Sequence, residues 1–286
     1  MITIKKLAMQ LSLSSAVIAA MPATFAAETA QSHAQHYMVK NVNIGDLPAK
    51  TIVPITAKTA EQALAQAKVI ASNPDADLAE FRIDLLEFSA DTKKVIALGQ
   101  QLNQILKDKP LIATIRTHNE GGKMTVSDQN YEKIYREYLK KPFMQLLDIE
   151  MFRDAGSVAK LIQLAHDKKV LVIMSNHDFA KTPEQQDIEN RLLKQDQMGA
   201  DILKIAVMPK SKQDVFTLMN ATLVVSQKSQ KPLLTMSMGQ LGTISRVATA
   251  NMGGSLSFGM IGEASAPGQI DVTQLKQLLK TVQPTP

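Results

Sequence analysis

Apolar residues along this chain gather into short, β-branched-rich runs separated by longer amphipathic stretches, and the runs recur regularly. They lie at 51–56, 78–83, 111–116, 145–150, 170–175, 201–207, 233–237 and 256–261. Each has the length of a strand and too few polar positions to keep one face in water, the pattern of a parallel sheet covered on both sides. Between most of them, the stretches 59–71, 91–106, 127–140, 157–167, 184–197 and 212–226 repeat apolar positions at helical spacing, and 272–281 follows the last run. Eight strands, each followed by helix-like sequence, predict a single (β/α)8 barrel over residues 49–286. A doubly wound open sheet fits less well, because no Gly-x-Gly-x-x-Gly turn follows any strand. The repetition is architectural only, with no internal repeat of sequence.

The beginning of the chain breaks this rhythm. Lys5-Lys6 precedes an apolar stretch over 7–20, then Pro22 and the small-residue segment Ala23-Thr24-Phe25-Ala26. A basic start, a short apolar run and small residues before a polar segment predict a secretory signal peptide over 1–26, cleaved after Ala26. The expected location is therefore the periplasm, with no membrane association after cleavage. Residues 27–48 are polar and read as a linker entering one short strand near 37–42.

Composition narrows the chemistry. The 286 residues are 45% hydrophobic and 21% charged, ordinary for a globular protein. Formal charge is +5, and removal of Lys5 and Lys6 leaves +3, too small and too scattered to argue for nucleic acid. There is no cysteine, which excludes disulfides, thiol nucleophiles, thiolate metal sites and lipid attachment through cysteine.

Candidate chemistry sits at the C-terminal ends of the predicted strands, where barrels of this kind place their active sites. In order these ends carry Glu80, Arg82 and Asp84, then Arg116 with Glu120, Asp148 and Glu150, His177-Asp178, Lys204, and finally Arg246 and residues 265–269. Lys204 is the most telling. It is one cation inside Ile202-Leu203-Lys204-Ile205-Ala206-Val207. A buried ammonium must be paired, reach water or lose its proton, and only the neutral amine attacks a carbonyl. A lysine that snorkels to solvent, and an interior ion-pair network around Glu80, Arg82 and Asp84, are the bland alternatives.

The motifs, taken together and in order, resemble the type I 3-dehydroquinate dehydratases. Asp148-Ile149-Glu150-Met151 and, farther on, Val172-Ile173-Met174-Ser175-Asn176-His177-Asp178 resemble that family's signature. Glu80-Phe81-Arg82-Ile83-Asp84, Thr114-Ile115-Arg116, Glu120-Gly121-Gly122, Lys204-Ile205-Ala206, Thr235-Met236-Ser237-Met238, Gly242-Thr243-Ile244-Ser245-Arg246 and Ser265-Ala266-Pro267-Gly268-Gln269 continue it, from about Val42 to Leu279. The resemblance implies a (β/α)8 barrel that converts 3-dehydroquinate to 3-dehydroshikimate without metal or organic cofactor. It further implies a Lys204 Schiff base, His177 as base and then acid, and Glu120 orienting His177. Arg246 and Gln269 would bind the substrate carboxylate, while Glu80, Arg82, Arg116 and Ser265 contact hydroxyls or frame the pocket. A homodimer is implied on the same ground. Arg82, Arg116 and Arg246 are the cations expected near the amine, where they would favour its neutral form.

Other features carry less. His33, His36 and His166 read as solvated surface, and His118 as loop. No His-x-x-x-His or His-Glu-x-x-His spacing suggests a metal site. The 15 methionines, including Met174, Met208, Met236, Met238 and Met260, read as packing rather than copper ligands. Gly121-Gly122 and Gly253-Gly254 read as turns or hinges, since neither leads into a phosphate-binding Gly-Lys-Ser/Thr. Two other functions share some of these residues. A class I aldolase-type lyase uses the same lysine chemistry, and an exported small-acid binding protein would keep the barrel without turnover.

Overall fold

The computed structural model describes residues 35–283, so the signal-peptide expectation over 1–26 lies outside the described residues. The described residues begin with a hairpin, β1 (Tyr37–Val39) and β2 (Val42–Ile44). Then follow β3 (Lys50–Ile55), α1 (Ala60–Ser72), β4 (Leu78–Arg82), α2 (Thr92–Leu106), β5 (Leu111–Thr114), α3 (Asp128–Lys140), β6 (Leu146–Glu150) and α4 (Ala155–Asp167). The remainder is β7 (Leu171–Asp178), α5 (Gln185–Gln197), β8 (Ile202–Val207), α6 (Lys212–Lys228), β9 (Leu233–Ser237), α7 (Gly239–Gly242), α8 (Ser245–Asn251), β10 (Leu256–Phe258) and α9 (Val272–Val282). Eight parallel strands pair in the order β10-β3-β4-β5-β6-β7-β8-β9. Ser255 N–H donates to the Leu233 carbonyl at 2.8 Å, linking the two ends into a nearly closed barrel.

Strand alternation sorts the side chains into two cores. Outward residues such as Val53, Phe81, Ile115, Ile149, Met174, Ile205 and Val207 pack with the surrounding helices. Inward residues at the N-terminal ends, Ile52, Leu78, Ile112, Leu146, Ile173, Ile202, Leu234 and Leu256, fill the barrel floor. One step of two residues further along, the inward series changes character to Glu80, Thr114, Asp148, Ser175 and Lys204. The barrel is therefore oily at its floor and charged toward its mouth.

Helix starts are set by local capping. Thr59 with Gln62 and Ser211 with Asp214 form capping boxes, and Asp91, Ser127, Asp154 and Asp271 each accept from a backbone N–H of their first turn.

The differences from the expected elements have physical causes. The 37–42 segment is a hairpin rather than one strand, turning at Lys40, whose φ is +50. Its Val39 and Ile44 pack against the barrel floor, so the C-terminal half of the expected linker is a plug. β5 stops at Thr114, short of 116, because the Tyr135 hydroxyl takes the Ile115 N–H at 2.9 Å. β10 stops at Phe258, short of 261, where Met260 instead exchanges hydrogen bonds with Ile270 and Val272 at 2.9 Å each. The helices α7 and α8, of 4 and 7 residues, are too short to register as a periodic pattern.

Ile44 is fully buried against the floor. Ile44→Ala is expected to destabilise the barrel by about 2–4 kcal/mol, read as a lower urea midpoint with unchanged slope. A midpoint equal to wild type would show that the hairpin is only a leader.

Candidate active site

Lys204 enters the barrel mouth from the middle of β8, where its backbone is held as firmly as its side chain. Gln195 of α5, itself fully buried, accepts from the Lys204 N–H at 2.8 Å and donates to the Lys204 carbonyl at 2.9 Å. The ammonium does not reach solvent, the residue being 3% exposed. Nζ donates to Asp148 Oδ2 at 2.8 Å, stands 3.7 Å from Glu80 Oε1 and lies 5.0 Å from the centre of the Phe258 ring. The nearest charged groups are thus carboxylates, where the sequence reading expected cations. Arg116 is present but on the far side of Asp148, which it grips through Oδ1 at 2.6 Å.

Arg116 ties three carboxylates together, two from β6 and one from the loop after β5. Its Nη1 donates to Glu150 at 2.9 Å, to Ser175 Oγ at 3.1 Å and to Glu120 at 3.2 Å, while Nη2 takes Asp148. Burial works against that charge, but Asp148, Glu150 and Glu120 outweigh it and raise the guanidinium well above its ordinary value. At Asp148 burial pushes the carboxyl up, and Arg116 and then Lys204 more than reverse this, holding it at about 2. Two tyrosines of α3, Tyr131 and Tyr135, brace the same strand ends. Tyr131, Tyr135 and Tyr138 are buried and stack edge to face. Tyr135 donates to the Asp148 carbonyl at 2.7 Å, and Tyr131 accepts the Glu150 N–H at 3.2 Å.

Glu120 and His177 form a second unit. The loop after β5 turns through a 3₁₀ segment, His118–Glu120, and ends at Gly121 with φ +80. A side chain at Gly121 would collide with the Phe179 ring as well as strain the backbone, so glycine is what lets this loop approach β7. Glu120 Oε2 lies 2.8 Å from His177 Nδ1 and accepts the His177 backbone N–H at 3.1 Å. Burial first, then Arg116, Lys204 and Arg82, lower the imidazole well below its ordinary value, so His177 is neutral near neutral pH. Burial and the neighbouring Glu150 and Asp148 push Glu120 up against the pull of Arg116. With Glu120 accepting at Nδ1–H, Nε2 is left as the basic nitrogen facing the cleft.

Arg246 differs from the other three cations of the mouth, Lys204, Arg82 and Arg116, in having no carboxylate partner. Arg82 is paired bidentately with buried Asp84 at 2.8 and 3.0 Å. Arg246, 1% exposed, instead donates Nε to the Gly268 carbonyl at 2.7 Å and Nη2 to the Pro267 carbonyl at 2.9 Å. Its Nη1 is buried without a partner. Burial brings its value down to about 10, an uncompensated charge inviting an anion. The loop it holds is closed by a mutual pair, Gln269 accepting the Ser265 N–H at 2.9 Å and donating to Ser265 Oγ at 3.0 Å. Gly268, at φ +77, packs directly on the Gly239 carbonyl, where a side chain has no room.

All nine residues singled out from sequence, Glu80, Arg82, Arg116, Glu120, His177, Lys204, Arg246, Ser265 and Gln269, line one cleft of about 530 Å³ that includes its open mouth. Arg116 takes part as a clamp on three carboxylates. Sequence reading missed Asp148 as the partner of Lys204, although it noted that residue at its strand end. It also missed Phe179 and Phe258, and it assigned Met236 and Met238 to packing although both line the cleft. Gln195 left no signal, since a glutamine on a helix announces nothing about the strand beneath it. His118 is exposed, as a loop residue would be. His166 is not simply solvated but contacts Asp201 at 2.9 Å. Among the described residues no group of three or more His, Asp or Glu is arranged to hold a metal ion. No described helix is long and apolar enough to cross a membrane.

Comparison with known proteins places this geometry in context. The family model described as type I 3-dehydroquinase matches residues 51–286. A protein of Acinetobacter baylyi named catabolic 3-dehydroquinate dehydratase is 82% identical over 264 residues, covering 92% of this chain and 97% of that protein. A 3-dehydroquinate dehydratase of Enterococcus faecalis is 45% identical over 245 residues, covering 85% of this chain and 96% of its own. Among solved structures, a type I 3-dehydroquinate dehydratase from Clostridium difficile with covalently modified comenic acid superposes with TM-score 0.83 at 35% identity, covering 87% of this chain and 98% of that one.

Asp148 is the carboxylate that neutralises both Arg116 and Lys204. Asp148→Ala leaves two buried cations short of a partner and is expected to cost about 3–5 kcal/mol in urea unfolding. In the wild-type protein the stabilisation from this depressed carboxyl is present above its unfolded value of about 3.9 and is lost as pH falls toward about 2. The variant should lack that part of the acid loss. Equal stability of the two proteins at neutral pH would show that Asp148 is not needed to neutralise Arg116 and Lys204.

Proposed function

This chain belongs to the type I 3-dehydroquinase family and dehydrates 3-dehydroquinate to 3-dehydroshikimate, and we propose that it does so through an imine at Lys204. The observation that carries the proposal is a buried lysine amine between Asp148 and Glu80, in a cleft that also holds a neutral His177 and an unpaired Arg246. With one proton lent to a neighbouring base such as Glu80, Nζ adds as the neutral amine to the substrate's C3 ketone; the proton returns as the carbonyl oxygen leaves as water, giving an iminium with Asp148 as its counter-ion. The iminium is a better electron sink than the ketone. His177 Nε2 removes a proton from C2, and the electrons move toward nitrogen as an enamine. They return to expel the C1 hydroxyl, which leaves as water with the proton from His177, and hydrolysis then releases the enone product. His177 thus works twice, and Glu120 balances the imidazolium between the two transfers.

The remaining residues supply recognition. Arg246 Nη1 is the N–H left over for the substrate carboxylate, and Gln269 and Ser265 close above it. Glu80, Arg82 and Arg116 frame the ring hydroxyls. The class I aldolase and binding-protein readings lose ground to the family match and to the intact Lys204, His177 and Glu120 constellation.

The physiological setting is part of the same proposal. The basic, apolar and small-residue pattern over 1–26 supports export to the periplasm, and the 82% identical relative bears the name of a catabolic enzyme. An exported copy would meet 3-dehydroquinate formed outside the cytoplasm by oxidation of quinate. It would work there as a homodimer, as its family resemblance suggests.

Borohydride added during turnover should leave a reduced substrate adduct on wild-type protein, located by mass at Lys204 and missing from Lys204→Ala. An active enzyme that yields no adduct would sink the imine. Arg246→Gln should raise KM for 3-dehydroquinate by about 10- to 100-fold, a charge-assisted hydrogen bond's worth, with a smaller effect on kcat. For location, activity measured after cell fractionation should appear with the periplasm; activity confined to the cytoplasm overturns that part.

A further inference from the structure

Asn176 does not line the substrate cleft, yet it touches the acid–base pair. It is 4% exposed, next to His177 on β7, and its amide bridges two groups. Oδ1 accepts from Arg191 Nη1 of α5 at 2.9 Å, and Nδ2 donates to Glu120 Oε1 at 3.4 Å. Arg191 can only donate, so the amide oxygen must face it, and the NH2 group is thereby turned toward Glu120. Arg191 is in turn gripped by Asp187, one helical turn earlier, through Nε at 3.1 Å and Nη2 at 2.7 Å. The chain of contacts therefore begins on the outer helix layer and ends at the imidazole.

The two oxygens of Glu120 are served differently. Oε2 receives His177 Nδ1, the His177 N–H and Arg116 Nη1. Among the described residues, Asn176 is the only hydrogen-bond donor to Oε1. It is also the only side-chain donor to Glu120 that can be removed without deleting a cation or the base itself.

We infer that Asn176 and Arg191 are positioning residues, which hold the Glu120 carboxylate turned toward His177 and ionised, and so set the acid limit of turnover. The inference rests on His177 acting as the base. The charged groups that face this pair are Arg116 at the end of β5, Asp148 and Glu150 of β6, Asp178 of β7 and Arg191 of α5. Arg82 of β4 and Lys204 of β8 lie across the cleft. Burial, Glu150 and Asp148 drive Glu120 toward its protonated form, while Arg116 and the Asn176 hydrogen bond oppose them. Without the Asn176 donor, Glu120 holds its proton to higher pH and no longer offers His177 a full negative charge.

The test is the pH dependence of kcat and KM for 3-dehydroquinate in wild type, Asn176→Ala, Arg191→Ala and Arg191→Gln, with circular dichroism at each pH to verify folding. Asn176→Ala and Arg191→Ala should move the acid limb of kcat/KM upward by about half to one pH unit, the scale of one hydrogen bond. At pH 6 kcat should fall by about three- to tenfold with KM within about twofold of wild type. Arg191→Gln, which keeps an N–H donor without the charge, should stay near the wild-type profile. An unmoved acid limb in the two alanine variants overturns the inference even if kcat falls, because a merely structural loss lowers the profile without shifting it. A shift in Arg191→Gln as large as in Arg191→Ala overturns it as well, since charge rather than the relay would then be responsible. If Asn176→Ala does not fold, the Arg191 variants on the outer helix carry the test. His177→Ala separates the two levels: full activity in that variant removes the underlying base assignment, whereas an inactive variant with an unmoved limb elsewhere removes only the relay.

Discussion

The Asp148 carboxylate, shared between Arg116 and Lys204 in the interior of the barrel, is the constraint on which the rest of the site depends. Neither cation could be held in a water-poor interior alone, and the carboxylate could not stay ionised without both. Once the three are in place, the unused donors of Arg116 fix Glu150 and Glu120, and Glu120 fixes His177. The chemistry at the mouth is therefore a continuous ion-pair lattice with two ends left for a substrate. One is the amine of Lys204, the other the imidazole of His177.

This lattice also explains why the barrel has an asymmetric interior. Its floor is a layer of aliphatic side chains sealed by the hairpin residues Val39 and Ile44, which supplies cohesion that the charged layer above cannot. Tyr131 and Tyr135 of α3 and Gln195 of α5 then act on backbone groups. They hold Asp148, Glu150 and Lys204 at fixed heights along their strands. Precision at the mouth comes from polar groups reaching inward from the helix layer, and stability comes mainly from apolar contacts below and around it.

Much of this could be read from the chain because strand periodicity and chemistry coincide. Eight apolar runs predicted the barrel, and in five of them an inward position fell on a polar residue, Glu80, Thr114, Asp148, Ser175 or Lys204. What could not be read are interactions whose partners lie far apart in sequence and carry no distinctive pattern. Asp148 was visible at a strand end, but nothing in its neighbourhood says that it meets Lys204, 56 residues away. Three arginines near the amine were a reasonable expectation from charge alone, yet burial demands neutralisation, and carboxylates occupy the nearest positions. The Asn176 and Arg191 contacts were equally hidden, since an asparagine before a histidine could face either layer. The short helix that carries Arg246 has too few turns to show a periodicity, although the arginine itself stood out.

The hairpin has a practical consequence for handling the molecule. It seals the barrel floor, and the described chain begins beside it, where Gln35 N–H meets the Gln230 carbonyl in the loop before β9. The cleft opens at the opposite end. A purification handle or surface tether joined at the start of the described chain would hold the barrel by its base, leaving the mouth facing the solution. Immobilised in that orientation, a packed bed of the protein would present its clefts to the flowing phase.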